Sequence, residues 1–282
     1  MPGAGFRAGG TIGAYGVSRG PSSSYQSGSI VRINNVNDAA YYHMKNFWPT
    51  TDGDITILNS LKYYWDASVP YSYPSTGGST WYDIGPTASY RDKNNGIFAG
   101  NAVYDPLGGG SIYLDGTGDW ITSFPNVISN NNSRTVGIIF RTTSSAQQGV
   151  IATRGSAGLT GWSLILNPTA GVYARWSNFN SATSDFISYT TLMSTNTWYH
   201  FTHTYDRAAQ DGYLYVNGTQ VASNLAMAVD DAVIFTGVFG ALTSAFANPF
   251  TGYIGLVYIA DSVFTSTQVT TLHNIFKGRF GL

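Results

Sequence analysis

Hydrolysis of a sugar chain calls for two carboxyl groups, one to give a proton and one to act as nucleophile or base. In this chain of 282 residues all 15 acidic residues are aspartates, and there is no glutamate. Asp52/Asp54 and Asp230/Asp231 lie beside glycine or at strand edges, where aspartate shapes turns by bonding its own backbone. Asp115 and Asp119 flank Gly116 and Gly118. They offer oxygens to calcium, but that ion takes roughly six to eight ligands, and no dense acidic loop surrounds them, so they read as turn formers. The four histidines are His43, His200, His203 and His273. No pair has zinc-ligand spacing on a helix, and His200 and His203 fall on opposite faces of a strand. His203 is expected to be a hydrogen-bonded core residue. Cysteine is absent, which excludes disulfides, thiolate metal sites and cysteine nucleophiles. No G-x-S-x-G elbow or phosphate-binding loop occurs. The expectation is no catalytic residue, no metal and no cofactor. The chemistry that remains is contact chemistry. Tyr41, Tyr42, Trp48 and Trp81 are candidate stacking surfaces for sugars or anchors of a protein interface.

The elements that must position such residues are strands. Across Asn196–Ser223, Tyr199, Phe201, His203 and Tyr205 alternate with Trp198, His200, Thr202 and Thr204, a period of two. Tyr213–Val216 and Thr219–Ala222 flank Asn217-Gly218, a strong hairpin signal because both central residues of a type I′ turn need positive φ. Asp206 to Gly212 holds turn residues. Arg134–Arg141, Gly149–Thr153, Trp162–Asn167 and Val172–Trp176 follow one another at short spacings, with Gly, Asn, Ser and Pro between them. Ser111–Asp115 and Trp120–Ser123 read as a paired hairpin, and Ala232–Gly240 and Thr251–Ala260 as closing strands. Many short punctuated strands predict an all-β sandwich or barrel. One helix ends the chain. Thr265 caps it with Gln268 three residues on, Val269, Leu272, Ile275 and Phe276 share a face, and Gly278 is placed as its terminator.

Charged residues make up only 10% of the chain, against about 25% in an average soluble protein. So little charge protects poorly against association. Large protein contacts, including a homo-oligomer, are one explanation, and a surface of Ser, Thr and Asn is the other. A net charge of −1 offers no field for nucleic acid. No apolar run approaches the length of a membrane span, and no signal peptide is read at the start, so synthesis in a cytoplasm is expected. Residues 1–28 include eight glycines, and Arg7, Arg19 and Arg32 make the leading segment basic. Such a sequence buries too little apolar surface to fold alone. Residues 1–57 are expected to form an extended arm and aromatic bridge, and residues 58–282 the sandwich.

Several stretches carry a family resemblance. Trp198, His200, Phe201, Thr204, Tyr205 and Asp206, then Tyr213, Tyr215, Asn217 and Gly218, resemble the W-x-H-v-x-x-t-Y-D … l-Y-v-N-G signature of laminin-G-like domains in the concanavalin A-like lectin/glucanase superfamily. Leu61, Tyr64, Asp66, Ala67, Pro70, Ser72, Tyr73, Pro74, Gly77, Trp81, Asp83 and Ile84 resemble a block of laminin-G-like proteins of tailed bacteriophages. Gly110–Ser123 and the end of the chain are similar to the same proteins, except that Gly255 and Leu256 stand where an acidic pair is usual. The resemblance covers about residues 58–282. It implies a jelly-roll sandwich of two antiparallel sheets, and it implies a virion. The leading expectation is a capsid decoration protein anchored by its arm to capsid or other virion proteins. The alternative is a glycan-binding adhesin module, on a tail fibre or capsid surface, directed at host-surface glycans. A glycosidase is disfavoured, since that superfamily's glucanases use a glutamate pair.

Overall fold

The computed structural model describes residues 57–70, 72–73, 77–85, 94–124, 132–153, 160–167, 172–179, 184–227, 237–243 and 245–282. The expected arm and bridge, with Arg7, Arg19, Arg32, Tyr41, Tyr42, His43 and Trp48, lie outside these residues. So do Asp52/Asp54 and Asp230/Asp231.

Two antiparallel sheets face each other. The first runs β14 (Thr219–Asn224), β13 (Asp211–Val216), β12 (Tyr199–Asp206), β7 (Arg134–Thr142), β16 (Thr251–Ala260), β5 (Ser111–Asp115) and β4 (Val103–Asp105), with β1 (Tyr63–Asp66) also on β16. The second runs β11 (Ser184–Met193), β10 (Val172–Phe179), β9 (Gly161–Asn167), β8 (Gln148–Ala152), β15 (Gly237–Phe239), β6 (Trp120–Phe124), β3 (Gly96–Ala99) and β2 (Thr80–Trp81). This is the concanavalin A-like sandwich that the sequence implies.

Alternation explains the layers. Val136, Ile138 and Phe140 of β7, Phe201 and Tyr205 of β12, and Ile254, Val257 and Ile259 of β16 meet Trp162, Leu164, Trp176 and Phe239 of the other sheet in one core. Burying each such side chain contributes about 1.5–3 kcal/mol. The intervening residues of the first sheet point outward. There Tyr64, Ile139, Leu256 and Tyr258 join Val269, Leu272, Ile275 and Phe276 of α1 (Ser266–Phe280) in a second core.

Two local expectations are corrected. Ser111–Asp115 and Trp120–Phe124 do not pair, because β5 belongs to the first sheet and β6 to the second. The turn between them is where the chain changes sheet. Asp119 shapes it, accepting from the backbone N–H groups of Asn101 and Asp115, while Asp115 accepts from Thr117. The helix also runs through Gly278 to a left-handed cap at Gly281 (φ 70°). The reason is that Arg279 and Phe280 are both engaged. The predicted capping box of Thr265 and Gln268 is present, and Asn217 and Gly218 have the positive φ values that their turn requires.

Arg279 binds the helix to the sheet. Its Nη1 donates to Asp66 Oδ1 at 2.6 Å, and its Nε and Nη2 donate to the carbonyls of Gly108 and Gly110. Asp66 is fully buried and also accepts from Tyr64 Oη, Ser68 N and Ser68 Oγ. Next to this pair the Phe280 ring lies on Gly255, where a Cβ would sit 2.4 Å from its Cε1. Glycine at the usual acidic position therefore makes room for the helix end. Breaking a buried, hydrogen-bonded ion pair from one side costs about 3–5 kcal/mol. Arg279→Met is expected to lower unfolding free energy by that amount in urea titrations, and Gly255→Asp to do so comparably. A loss below about 1 kcal/mol in Arg279→Met would show that the clamp is not what holds the helix.

Candidate functional site

Helix α1 covers only part of the first sheet's outer face. Beyond its C-terminal end four strands carry a row of side chains in direct register. Val103 lies opposite Tyr113, Tyr113 opposite Tyr253, and Tyr253 opposite Arg141. Direct cross-strand neighbours stand about 5 Å apart at Cβ, so the four form one continuous strip. Val103 is 49% exposed, and Tyr113, Tyr253 and Arg141 are half-buried. The two tyrosine rings tilt together at 43° with centroids 4.9 Å apart. The Arg141 guanidinium lies 5.5 Å from the Tyr253 centroid.

The end of the strip is set by the turn before β12. Asn196 adopts φ 62°, a left-handed conformation that asparagine tolerates better than most residues, and its N–H donates to Thr142 O at 2.7 Å. This brings Asn196 Oδ1 to 3.2 Å from Arg141 Nη2. Trp198 stands behind the strip, 6.4 Å from Tyr253 and 4.8 Å from Phe280, so the helix end buttresses it. Among the described residues, the Tyr113 and Tyr253 hydroxyls and Arg141 Nη1 have no protein hydrogen-bond partner. Flat aromatic surface beside uncommitted donors and acceptors suits a ligand with apolar C–H faces and rim hydroxyls.

The three described histidines serve packing. His200 Nε2 is 2.9 Å from Tyr258 Oη, its Nδ1 is 3.4 Å from His273 Nδ1, and its backbone N–H donates to Asn217 Oδ1. The group joins β12 to α1. Burial, with His273 as a second cause, lowers the His200 pKa to about 3. His203 lies in the main core, but it is not the hydrogen-bonded residue that was expected. It is stacked 4.3 Å from Trp176 at 11°, and both ring nitrogens lack a hydrogen-bond partner. Burial and the nearby Arg134 charge hold its pKa well below the ordinary histidine value.

Trp81, a candidate stacking surface for sugars or anchor of a protein interface, is fully buried. Its position in β2 points it inward, edge-on to Phe239 at 6.0 Å. Of its neighbours in the Tyr-rich segment, Tyr63, Tyr64, Trp65 and Tyr73 are also buried, and Tyr82 is 40% exposed. Among the described residues no group of three or more His, Asp or Glu side chains is arranged to hold a metal ion. Sequence reasoning passed over Tyr113, Arg141, Asn196 and Tyr253. The available signal was alternation: Tyr113 lies between Ile112 and Leu114, and Arg141 follows Phe140. Each is a large side chain at an outward position.

Fold and surface define a lectin-type sandwich. Residues 115–270 match a laminin G-type family described as the concanavalin A-like lectin/glucanases superfamily, and the chain belongs to that family. No curated protein matches it. Among solved structures it is similar to domain 4 of AbnA, an extracellular GH43 arabinanase from Geobacillus stearothermophilus, in complex with arabinotriose. That likeness has TM-score 0.57 and 16% identity, and covers 76% of this chain and 98% of that one. It is also similar to the receptor-binding domain of botulinum neurotoxin type G, with TM-score 0.55 and 15% identity over 77% of this chain. The binding domain of botulinum neurotoxin DC, in complex with rat synaptotagmin II, gives TM-score 0.57 and 14% identity over 78% of this chain. The match covers about half of each neurotoxin domain, 51% and 52%. At such identities the likeness shows the fold.

Acid is expected to destabilise the protein through these histidines. Their folded pKa values lie below the unfolded value near 6.5. Stability is therefore complete above pH 6.5 and falls as pH drops from there toward about 3, since the unfolded chain binds protons first. For His200 this amounts to about 2–3 kcal/mol by about pH 4.5, and His203 contributes in the same direction. Melting temperatures between pH 7.5 and 4.5 should decline, and His203→Phe, which keeps the stack, should flatten the decline. An unchanged slope in that variant would remove His203 from the account.

Proposed function

We propose that the chain is a non-enzymatic, glycan-binding module, and that the Tyr113–Tyr253–Arg141 strip with Asn196 is its ligand platform. The observation that carries this reading is the strip itself: half-buried aromatic rings in register, beside a guanidinium whose Nη1, like the two phenol hydroxyls, has no protein hydrogen-bond partner among the described residues. A strip like this on a lectin-type sandwich meets what sugar binding asks for. The structural relatives, a carbohydrate-bound domain and receptor-binding domains, are in keeping with it. The absence of glutamate from the chain supports a binding role over a hydrolytic one. So do the buried carboxylates, since Asp66 and Asp119 are engaged by backbone and side-chain donors.

The phage-type block and the sparse charge favour a setting for this module, a virion surface. In that reading residues 1–57, with Arg7, Arg19 and Arg32, attach the sandwich to the capsid or another virion protein as a decoration, in a homo-oligomer. The sandwich then displays its platform to host-surface glycans. In the structure the residues of the block build the scaffold of the sandwich. Asp66 anchors the helix, Ser72 Oγ bonds Tyr82 O and Asp66 N, and Asp83 Oδ1 accepts from Tyr64 N and Gly85 N.

A glycan array probed with the full chain is expected to give hits. Tyr113→Ala and Tyr253→Ala should each weaken them about two- to tenfold, the range of an aromatic contact. A blank array would count against the platform and leave decoration as the surviving role. For the setting, deletion of residues 1–28 should abolish attachment to phage particles while the sandwich keeps its melting temperature. Attachment that survives the deletion would refute anchoring by the arm.

A further inference from the structure

We infer that the platform selects sugars that carry a carboxylate, such as uronates. This rests on the glycan-binding reading and adds a ligand class to it. Arg141 is the only cation of the strip, and among the described residues it makes no ion pair. Two carboxylates share its sheet face on the strands of the strip itself. Asp115, two residues along β5 from Tyr113, accepts from Thr117 N–H at 2.6 Å, and Asp105, two along β4 from Val103, accepts from Leu107 N–H at 2.7 Å. Both are drawn into their own turns.

The guanidinium is held in place without being neutralised. The Tyr253 ring supports its face at 5.5 Å, and Asn196 Oδ1 takes one N–H from Nη2 at 3.2 Å. Among the described residues Nη1 has no protein acceptor. Nε is shielded from water and also without a partner, so this half-buried charge has lost part of its hydration and gained little in return. A planar, pre-oriented guanidinium fork matches a carboxylate through two parallel N–H···O bonds. A sugar hydroxyl offers a single oxygen, which cannot take both parallel bonds, and it brings no charge. Tyr113 and Arg141 lie two strands apart, roughly 10 Å, so an oligouronate with one ring against Tyr113 can place the carboxylate of its next sugar at Arg141.

The test uses the full chain and three uronate polymers, polygalacturonate, alginate and hyaluronan, each beside its methyl ester. Titration calorimetry is expected to show at least one acid form bound about tenfold or more tightly than its ester, the scale of a charge-assisted hydrogen bond. The preference should shrink as salt rises from about 50 to 500 mM, because exposed charges are screened. Arg141→Gln should abolish the preference while ester binding remains, whereas Tyr113→Ala should weaken both forms. Equal affinity for acid and ester in the unmodified protein would overturn carboxylate selection and leave glycan binding standing. A preference that persists in Arg141→Gln would overturn the role of Arg141. No binding to any acid or ester would overturn both the selection and the platform. The acid–ester comparison needs no variant, so it holds even if Arg141→Gln fails to fold.

Discussion

The buried pair of Asp66 and Arg279 is the constraint on which the outer half of this molecule depends. A sandwich buries its inner faces without help, but the outer face of the first sheet carries Tyr64, Ile139, Leu256 and Tyr258, which water would otherwise wet. Helix α1 covers them, and its C-terminal end is tied down by one guanidinium that reaches a carboxylate and two carbonyls. Both charges are removed from water, so the pair holds only because each remaining donor and acceptor is satisfied. The neighbouring contact of Phe280 on Gly255 needs a residue with no side chain. Together they fix where the helix stops, and that sets how much of the sheet stays open.

The candidate site is the part left open. Phe280 supports Trp198, and Trp198 stands behind Tyr253. The same helix end that closes one half of the face thus stiffens the other. The strip requires no loop ordering, since its positions come from strand register. This suits a ligand that must be met by a pre-formed surface, because less conformational entropy is lost on binding. The lone cation at one end gives the surface a direction.

The inner core shows the same economy of polar groups. His203 sits between Phe201 and Tyr205, where the alternation calls for an apolar residue, and it is tolerated as a neutral ring in a stack with Trp176 and Trp162. Arg134 lies beside that stack, 4.9 Å from the Tyr205 centroid and hydrogen-bonded to Asn178. Stacking takes the place of hydrogen bonding for the imidazole, and the cost is sensitivity to acid.

The sequence alone determined the fold class and much of its local grammar. Period-two alternation, the Asn217-Gly218 turn and the Thr265/Gln268 cap are local physics, and they read correctly because no distant residue alters them. The lack of glutamate and cysteine narrowed the chemistry before any geometry. Tertiary structure decided the rest. Whether β5 and β6 pair, whether Trp81 faces a ligand or the core, and where α1 ends all depend on residues far away in the chain. Asp66 and Arg279 are separated by 213 positions. The strip itself joins Val103, Tyr113, Arg141, Asn196 and Tyr253, which no motif links. Alternation marks the four strand residues as outward and Asn196 sits in a turn, but only sheet order places them side by side, because strand neighbours in space are not neighbours in sequence.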